Sequence, residues 1–338
     1  MSRNPFIQLL VIGNIRNDFI ITQFGKAHSN LIGGSALYAA AGARMGNENI
    51  GLVSRIDAKF PDQALVQIEK RGVDTNGILR LKQTFDTRSF YYWLDNRNCL
   101  IDNPTAAYSK FGLTFPPELI GYTIPTYSTI EKMWANISIK MDVPFPHEYM
   151  DISGVHLCPI DLATHIKMQT LLQKGTVTTI TLCPSDDYMN PDNILKIPAV
   201  VKDITAFIPT EAQISSLFRG RTQDLWEMAQ EISKLGCPIV VIQRGEKGCL
   251  LYNSQNRDKF ILPNYPTSWK DPTGMNDVFA GAFLSEYKRS FDPARAAVFA
   301  NACASISVEG TGAFYCLDSF PGLLEARQEV LQSLVVKI

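Results

Sequence analysis

Histidine is scarce in this chain. There are four in 338 residues and no two stand at metal-ligand spacing. No two come nearer than His147 and His156, with no cysteine pair beside them, so a zinc site is not expected. Disulfides are not expected either. The seven cysteines (Cys99, Cys158, Cys183, Cys237, Cys249, Cys303 and Cys316) are odd in number, scattered and without a C-x-x-C, which reads as reduced core thiols of a cytoplasmic protein. Net charge is nearly absent, at −1, and gives no ground for nucleic acid or an anionic membrane as partner. No apolar run approaches the length of a membrane span. Phe6–Ile12 is short, ends in Gly13-Asn14 and lacks a small-residue cleavage pattern, so it reads as a buried strand rather than a signal peptide. Internal repeats and low-complexity tracts are missing too. What remains, 46% hydrophobic and 19% charged, is ordinary for a globular protein, and the length allows one large domain or two.

The chain is organised around residues 270–283, Lys-Asp-Pro-Thr-Gly-Met-Asn-Asp-Val-Phe-Ala-Gly-Ala-Phe. Pro272 and Gly274 mark a turn. Beyond it Met275, Val278, Phe279, Ala282 and Phe283 recur at i, i+3, i+4, i+7 and i+8, the apolar stripe of a helix. A helix N-terminus presents unpaired N–H groups and partial positive charge, and so attracts anions. Asp277 stands in that first turn. A carboxylate there complements the helix dipole, but it repels an anionic ligand. It makes chemical sense if it takes a proton from a nucleophile that attacks phosphorus.

The rest of the chain alternates strand and helix patterns, which argues for a parallel α/β sheet. Strands are expected at Phe6–Ile12, Ile20–Phe24, Asn49–Ser54, Thr87–Leu94, Gly154–Cys158, Thr176–Leu182, Ile204–Ile208 and Pro238–Ile242. Helices are expected over the Ala-rich run that stops at Gly46, over Phe60–Lys70, Asp161–Lys174 and Ala294–Val308. Polar clusters close several strands, where open α/β sheets place their ligands. Gly33-Gly34 suits close approach of backbone to a ligand. Phe90, Tyr92 and Trp93 can be core or a stacking surface, and Arg88 and Arg97 are candidates for phosphate or substrate oxygens. Residues 103–150, rich in Pro, Tyr and Thr, show little periodicity.

Residues 271–283 resemble the D-[TP]-T-G-A-G-D-x-F-x-x-G-F signature of the ribokinase-like (PfkB) carbohydrate kinases. Gly33–Gly46 resembles the family's G-G-x-x-x-N-x-A-x-x-x-x-x-L-G, and Ala300–Ala313 its A-N-A-x-A-x-x-x-V-x-x-x-G-A. The resemblance spans about 1–100 and 150–315, with the motifs in family order. It implies a single ribokinase-like α/β domain over 1–338, with a mainly parallel central sheet flanked by helices. It also implies a small β lid from about 14–26 and 84–104, and 103–150 becomes an atypical insertion.

The resemblance further implies roles. Asp277 falls on the catalytic base, and Gly274, Met275 and Asn276 on the anion hole; Met275 replaces an Ala and Asn276 a Gly. Asp18, Gly33, Gly34 and Ser35 fall on the substrate site with Arg88, and Tyr38 stands there in place of an Asn, which points to an altered substrate. Gln243, Gly245, Lys247, Gly248 and Asn301 fall on the ATP site. Gln213 replaces a Glu that orders magnesium from the second layer of contacts, and another register makes Glu211 the acid. Asp271 and Thr273 belong to a loop that holds a monovalent cation such as potassium.

The activity implied is ATP- and magnesium-dependent phosphorylation of a sugar or polyol hydroxyl. Tyr38 and the lid aromatics suggest a nucleoside instead. The departures at Tyr38, Gln213, Gln243 and Asn276 keep open a kinase fold retained as a sensor, against which the retained Asp277 speaks. A homodimer through the lid is compatible with the family.

Overall fold

The computed structural model describes residues 7–47, 49–124, 149, 151–172 and 176–338. Fourteen strands are seen among them: β1 (Leu9–Ile12), β2 (Arg16–Ile21), β3 (Ala27–Gly33), β4 (Ile50–Ile56), β5 (Val73–Arg80), β6 (Arg88–Trp93), β7 (Cys99–Leu100), β8 (Gly154–Leu157), β9 (Thr179–Leu182), β10 (Ala206–Phe207), β11 (Ile239–Gln243), β12 (Cys249–Asn253), β13 (Asp258–Leu262) and β14 (Val336–Lys337). The helices, in order, are α1 (Ser35–Arg44), α2 (Asp62–Lys70), α3 (Pro104–Lys110), α4 (Leu162–Leu172), α5 (Ile197–Val201), α6 (Glu211–Leu217), α7 (Leu225–Lys234), α8 (Met275–Ser290), α9 (Pro293–Ser307) and α10 (Leu323–Ser333).

Ten strands form one sheet in the order β14-β13-β12-β11-β10-β9-β8-β1-β4-β5. From β11 to β5 every pairing is parallel, and the β11-β12-β13-β14 edge is antiparallel. The result is a mainly parallel α/β sheet with an antiparallel edge. The central strands are buried on both faces, which is why they read as unbroken apolar runs. Along β1 the side chains alternate: Leu9 and Val11 join the core under α1, α8 and α9, while Leu10 and Ile12 join the core under α4 to α7. β1 lies between β8 and β4, so the strand order runs in opposite directions from it. Such a switch point opens a crevice beyond the carboxyl ends of the strands. A separate four-stranded sheet, β3-β2-β6-β7, has its own core of Phe19, Ile21, Phe90 and Tyr92 with Tyr108 and Leu119.

Most expected elements are present with shifted ends. The strand expected at Ile20–Phe24 begins earlier, at Arg16, because Thr22 to Lys26 forms the turn into β3. Gly72 takes a left-handed conformation and leads straight into β5. The helix expected at Asp161–Lys174 runs Leu162–Leu172, with residues 173–175 outside those described. Gly46 follows α1 but does not adopt the left-handed cap; a side chain there would meet Ser285 Oγ at 2.6 Å and the Phe299 ring at 3.1 Å. Part of 103–124 is helical after all: Pro104 opens α3 and Asn103 caps it, accepting from the Ala106 N–H. The remainder of 103–150, apart from Tyr149, lies outside the described residues. Six of the seven cysteines are buried free thiols and Cys99 is half-buried.

α1 and α8 pack with their backbones in near contact. A Cβ on Gly281 would collide with the Ala39 carbonyl, and one on Gly42 with the Val278 carbonyl. Gly281→Ala should therefore destabilise the protein by about 3 kcal/mol, the upper end of overpacking, since backbone cannot rotate away as a side chain can. Urea unfolding of the variant checks this; a midpoint equal to wild type would refute it.

Candidate active site

The loops at the carboxyl ends of β1, β8 and β9 surround a pocket of about 330 Å³ at the switch point. On its polar side stand Asn14, Arg16, Ser35, Ser185, Asp186 and Asp277. The other side is apolar and aromatic, with Tyr91, Ile101, Tyr122, Ile124 and Ile160. Beyond the Gly274 turn is a narrow crevice of about 10 Å³, lined by Gln243, Gly245, Gly248, Met275, Asn276 and Asn301. Pocket and crevice meet at the N-terminus of α8.

That N-terminus is built by Gly274, whose φ of 73° is left-handed. Its bare Cα faces the Tyr38 ring so closely that a Cβ would land in the ring. The Met275 N–H bonds to Pro272 O at 3.1 Å and the Asp277 N–H to Gly274 O at 3.0 Å. Of the residues expected to form the anion hole, Met275 is thus already donating, as is the neighbouring Asp277 N–H. The Asn276 N–H has no acceptor among the described residues, and Asn276 O accepts from Gln243 Nε2 at 3.3 Å.

Asp277 faces the pocket and is partly buried there. Burial pushes its carboxyl up to about 8, and the nearby Asp18 carboxylate adds to the effect. Asp18 is fully buried. Burial raises it to about 7 against the Gly34 N–H and the Arg16 charge, which favour its ionised form. The Gly34 N–H donates to Asp18 Oδ2 at 3.3 Å, and Oδ1 has no partner. Two carboxylates in a desolvated site cannot both ionise cheaply.

Several expected site residues are placed elsewhere. Asp18 lies behind the pocket wall, and Gly33 is needed there because a side chain would collide with the Asp18 carboxylate. Tyr38 does not line the pocket: 3% exposed, it supports Gly274 from below, its hydroxyl buried without a hydrogen bond near Asp18 and Asp271. Arg88 is not directed to a substrate. Its Nε and one terminal nitrogen take both oxygens of Asp86, at 2.8 and 2.7 Å, and it also donates to the carbonyls of Glu118 and Ile120. Arg97 is held by Glu246 at 2.9 Å. Lys247 stands 3.9 Å from Glu211, which also faces Arg244, and is outside the crevice. Phe90 and Tyr92 are core of the small sheet, whereas the Trp93 indole N–H donates to Thr273 Oγ1 at 2.8 Å.

Gln213 completes a capping box with Thr210 at the start of α6. Its amide also donates to Asp186 Oδ1 at 2.8 Å, so it orients a carboxylate on the pocket wall. Glu211, the other register, points toward Arg244 and Lys247 instead. The Thr273 N–H donates to Asp271 Oδ1 at 2.9 Å, leaving the buried Oδ2 unpartnered. The sequence reading missed Arg16, Ser185 and Asp186. Their one sequence signal is position: each follows directly on a buried strand of the parallel sheet. The small sheet is tied over this region by Trp93 to Thr273, by Gln23 Nε2 to Trp269 O at 3.1 Å, and by Asn96 and Arg97 to Glu246.

A family model described as "pfkB family carbohydrate kinase" matches residues 135–319, more than half of the chain. The cytidine kinase of Thermococcus kodakarensis is 28% identical over 286 residues, covering 84% of this chain and 89% of that protein. The inositol 3-kinase of Arabidopsis thaliana is 30% identical over 100 residues, 30% of this chain and 27% of that one. Among solved structures, a Burkholderia thailandensis nucleoside kinase in complex with ADP-inosine superposes with a TM-score of 0.71 at 14% identity over 96% of each chain. An Escherichia coli protein described as a ribokinase II, in complex with ATP and magnesium, gives 0.68 at 18% identity over 97% of this chain and 99% of that one. At these identities the structural likeness speaks for the fold. Among the described residues no helix is long and apolar enough to cross a membrane, and no three potential metal ligands cluster.

Proposed function

The chain belongs to the pfkB family of carbohydrate kinases, and from that premise we propose that it transfers the γ-phosphoryl group of ATP to a hydroxyl of a sugar or polyol, with Asp277 as general base. One observation carries this reading: Asp277 stands on the wall of the acceptor pocket, at the α8 N-terminus that also borders the crevice. The acceptor hydroxyl oxygen forms a bond to the γ-phosphorus. The bond from that phosphorus to the bridging oxygen breaks, and the hydroxyl proton passes to Asp277. Ser35, Asn14 and the Gly34 backbone hold the acceptor, and the free Asn276 N–H faces charge on the transferring group. Asp18 and Tyr38 act from behind, holding the Gly34 and Gly274 backbones in place.

The residues beyond the turn fit a nucleotide. Gly245 has a φ of 58° with open space where a Cβ would be, and Gly248 crosses tightly beneath the Leu262 carbonyl. Gln243 and Asn301 complete that wall. Asp186, held by Gln213, is the carboxylate that would hold magnesium. One or two carboxylates are the usual protein share when phosphates supply the rest, so the donor set fits. Asp186 would there hold an ion that supplies positive charge against the phosphate oxygens. The orphaned Asp271 Oδ2 is the donor that fits a monovalent cation. The small sheet acts as the lid that excludes water.

A nucleoside is the second reading of the acceptor. The wall of Tyr91, Ile101, Tyr122 and Ile124 favours it, since this surface suits a planar base better than a polyol, and the cytidine kinase relative supports it. Coupled ADP release with Mg-ATP against sugars, polyols and nucleosides tests both readings. Turnover on one class is expected. Nucleotide binding without turnover on any class would favour a sensor, and no nucleotide binding would sink the kinase reading.

A further inference from the structure

We infer that Arg16 selects the acceptor substrate, and that this substrate presents to it two adjacent hydrogen-bond acceptors. A carboxylate on a sugar acid has this chemistry, and so does the O2 and N3 edge of cytosine, where both atoms accept. The inference rests on reading the pocket as the site of hydroxyl phosphorylation and deepens it by naming what the acceptor carries.

Arg16 opens β2 directly after the loop that ends β1, and its side chain lines the same pocket as Asp277. The contrast with Arg88, on the adjacent strand β6 and directly opposite Asn17 in the pairing, is informative. Arg88 is consumed: Asp86 takes its fork and carbonyls take the rest. Both Asp86 oxygens already accept from Arg88, and among the described residues neither lies within ion-pair distance of the Arg16 guanidinium. Asp18 lies behind the wall, with Oδ2 turned to the Gly34 N–H. Among the described residues Arg16 has no carboxylate within ion-pair distance and its guanidinium makes no hydrogen bond. It is partly buried, so water satisfies it incompletely.

A guanidinium carries five donors in a rigid planar fork that matches a pair of adjacent acceptors. Charge-assisted bidentate pairing is stronger and more directional than a bond to one hydroxyl. A neutral polyol offers the fork only uncharged hydroxyl oxygens that are not held in one plane, a weaker and less directional match. A planar group with two acceptors engages both and offsets the desolvation of the cation. The same pocket bears the Asp277 and Asp186 carboxylates, which alone would favour a cationic ligand; Arg16 reverses that preference on its side of the pocket.

The test uses matched acceptors with Mg-ATP: a sugar acid against its neutral sugar, and cytidine against the free ribose. For whichever acceptor bears the group, Arg16→Ala should raise KM roughly ten- to a hundredfold, the loss of one charged hydrogen-bond pair, with kcat and the KM for ATP little changed. The neutral partner should be unaffected. Arg16→Lys, which keeps charge and loses the fork, should recover only part of the loss. Ligand-induced melting shifts, measured in the Asp277→Asn background, read binding without turnover. There, Arg16→Ala should abolish the shift given by the sugar acid or by the nucleoside, and which of the two it abolishes identifies the source of the group. A fall in kcat with unchanged acceptor KM would overturn the inference and place Arg16 at the transferring phosphoryl group. Equal losses for both members of each pair, or ligand-induced shifts that persist without Arg16, would overturn it as well. Arg16-dependent binding with no turnover in the wild type would instead count against phosphoryl transfer and leave the recognition standing.

Discussion

Replacement of Asp277 by asparagine should lower kcat by about a thousandfold while the acceptor and ATP still bind, because general-base catalysis contributes about 10²–10⁴ in rate. Asparagine is nearly isosteric, so the α8 N-terminus keeps its geometry and only the proton acceptor is lost. Single-turnover measurements with saturating substrates separate the two effects. A variant that retained more than a tenth of wild-type kcat would show that the hydroxyl loses its proton elsewhere.

The same substitution should change the pH dependence with a definite sign. Asp277 must be ionised to act, and burial with the Asp18 charge raises it to about 8. The wild-type kcat/KM should therefore climb with pH and level off above about 8. Asp18, raised to about 7, titrates beside it, so the rising limb belongs to the pair. Stability should move the other way. A carboxyl held above its unfolded value of 3.8 binds a proton in the native state that the unfolded chain has released. Its stabilisation is complete below about 3.8 and is lost as pH rises through about 8. The melting temperature of wild type should thus fall between these limits, whereas Asp277→Asn removes this contribution. The variant should melt above wild type at pH 8 and converge with it near pH 4. An unchanged difference across that range would mean that Asp277 is not desolvated as the structure has it.

How far the site was legible depended on whether each residue answers to its neighbours in sequence or in space. The α8 stripe from Met275 to Phe283 is a local pattern of period 3.6 and was visible at once. Gln243, Gly245, Gly248 and Asn301 assemble with Asn276 because strands of a parallel sheet all end on one edge, so motifs at strand ends converge wherever they fall in sequence. Arg88 had a local signal that was available and overlooked: Asp86 two residues earlier, which accepts from both its backbone and its side chain. Arg16 and Asp186 had no such signal, since lining a pocket is a property of the assembled sheet. Tyr38 misled for the same reason. Its size relative to an asparagine suggested an altered pocket, but the space it fills is the one that Gly274 leaves free.

Gly274→Ala should be the most damaging change outside the base itself. A residue with a side chain in the left-handed region costs about 1–2 kcal/mol. The new methyl group would also enter the Tyr38 ring, adding about 1–3 kcal/mol of overpacking. Tyr38 cannot retreat, because it is 3% exposed and its hydroxyl is already enclosed near Asp18 and Asp271. The turn must move instead, and with it the Asn276 N–H and the Asp277 carboxylate. A displacement of about 1 Å at a reacting centre can cost 10²-fold in rate, so kcat should fall by about that factor alongside a lower melting temperature. The double variant Gly274→Ala with Tyr38→Leu distinguishes the two causes. If the ring is the obstacle, the smaller side chain should return much of the lost stability and activity, with a coupling well above the few tenths of a kcal/mol seen between independent sites. Strictly additive losses would assign the damage to the backbone conformation alone, and Tyr38 would then be a packing residue with no part in shaping the anion site.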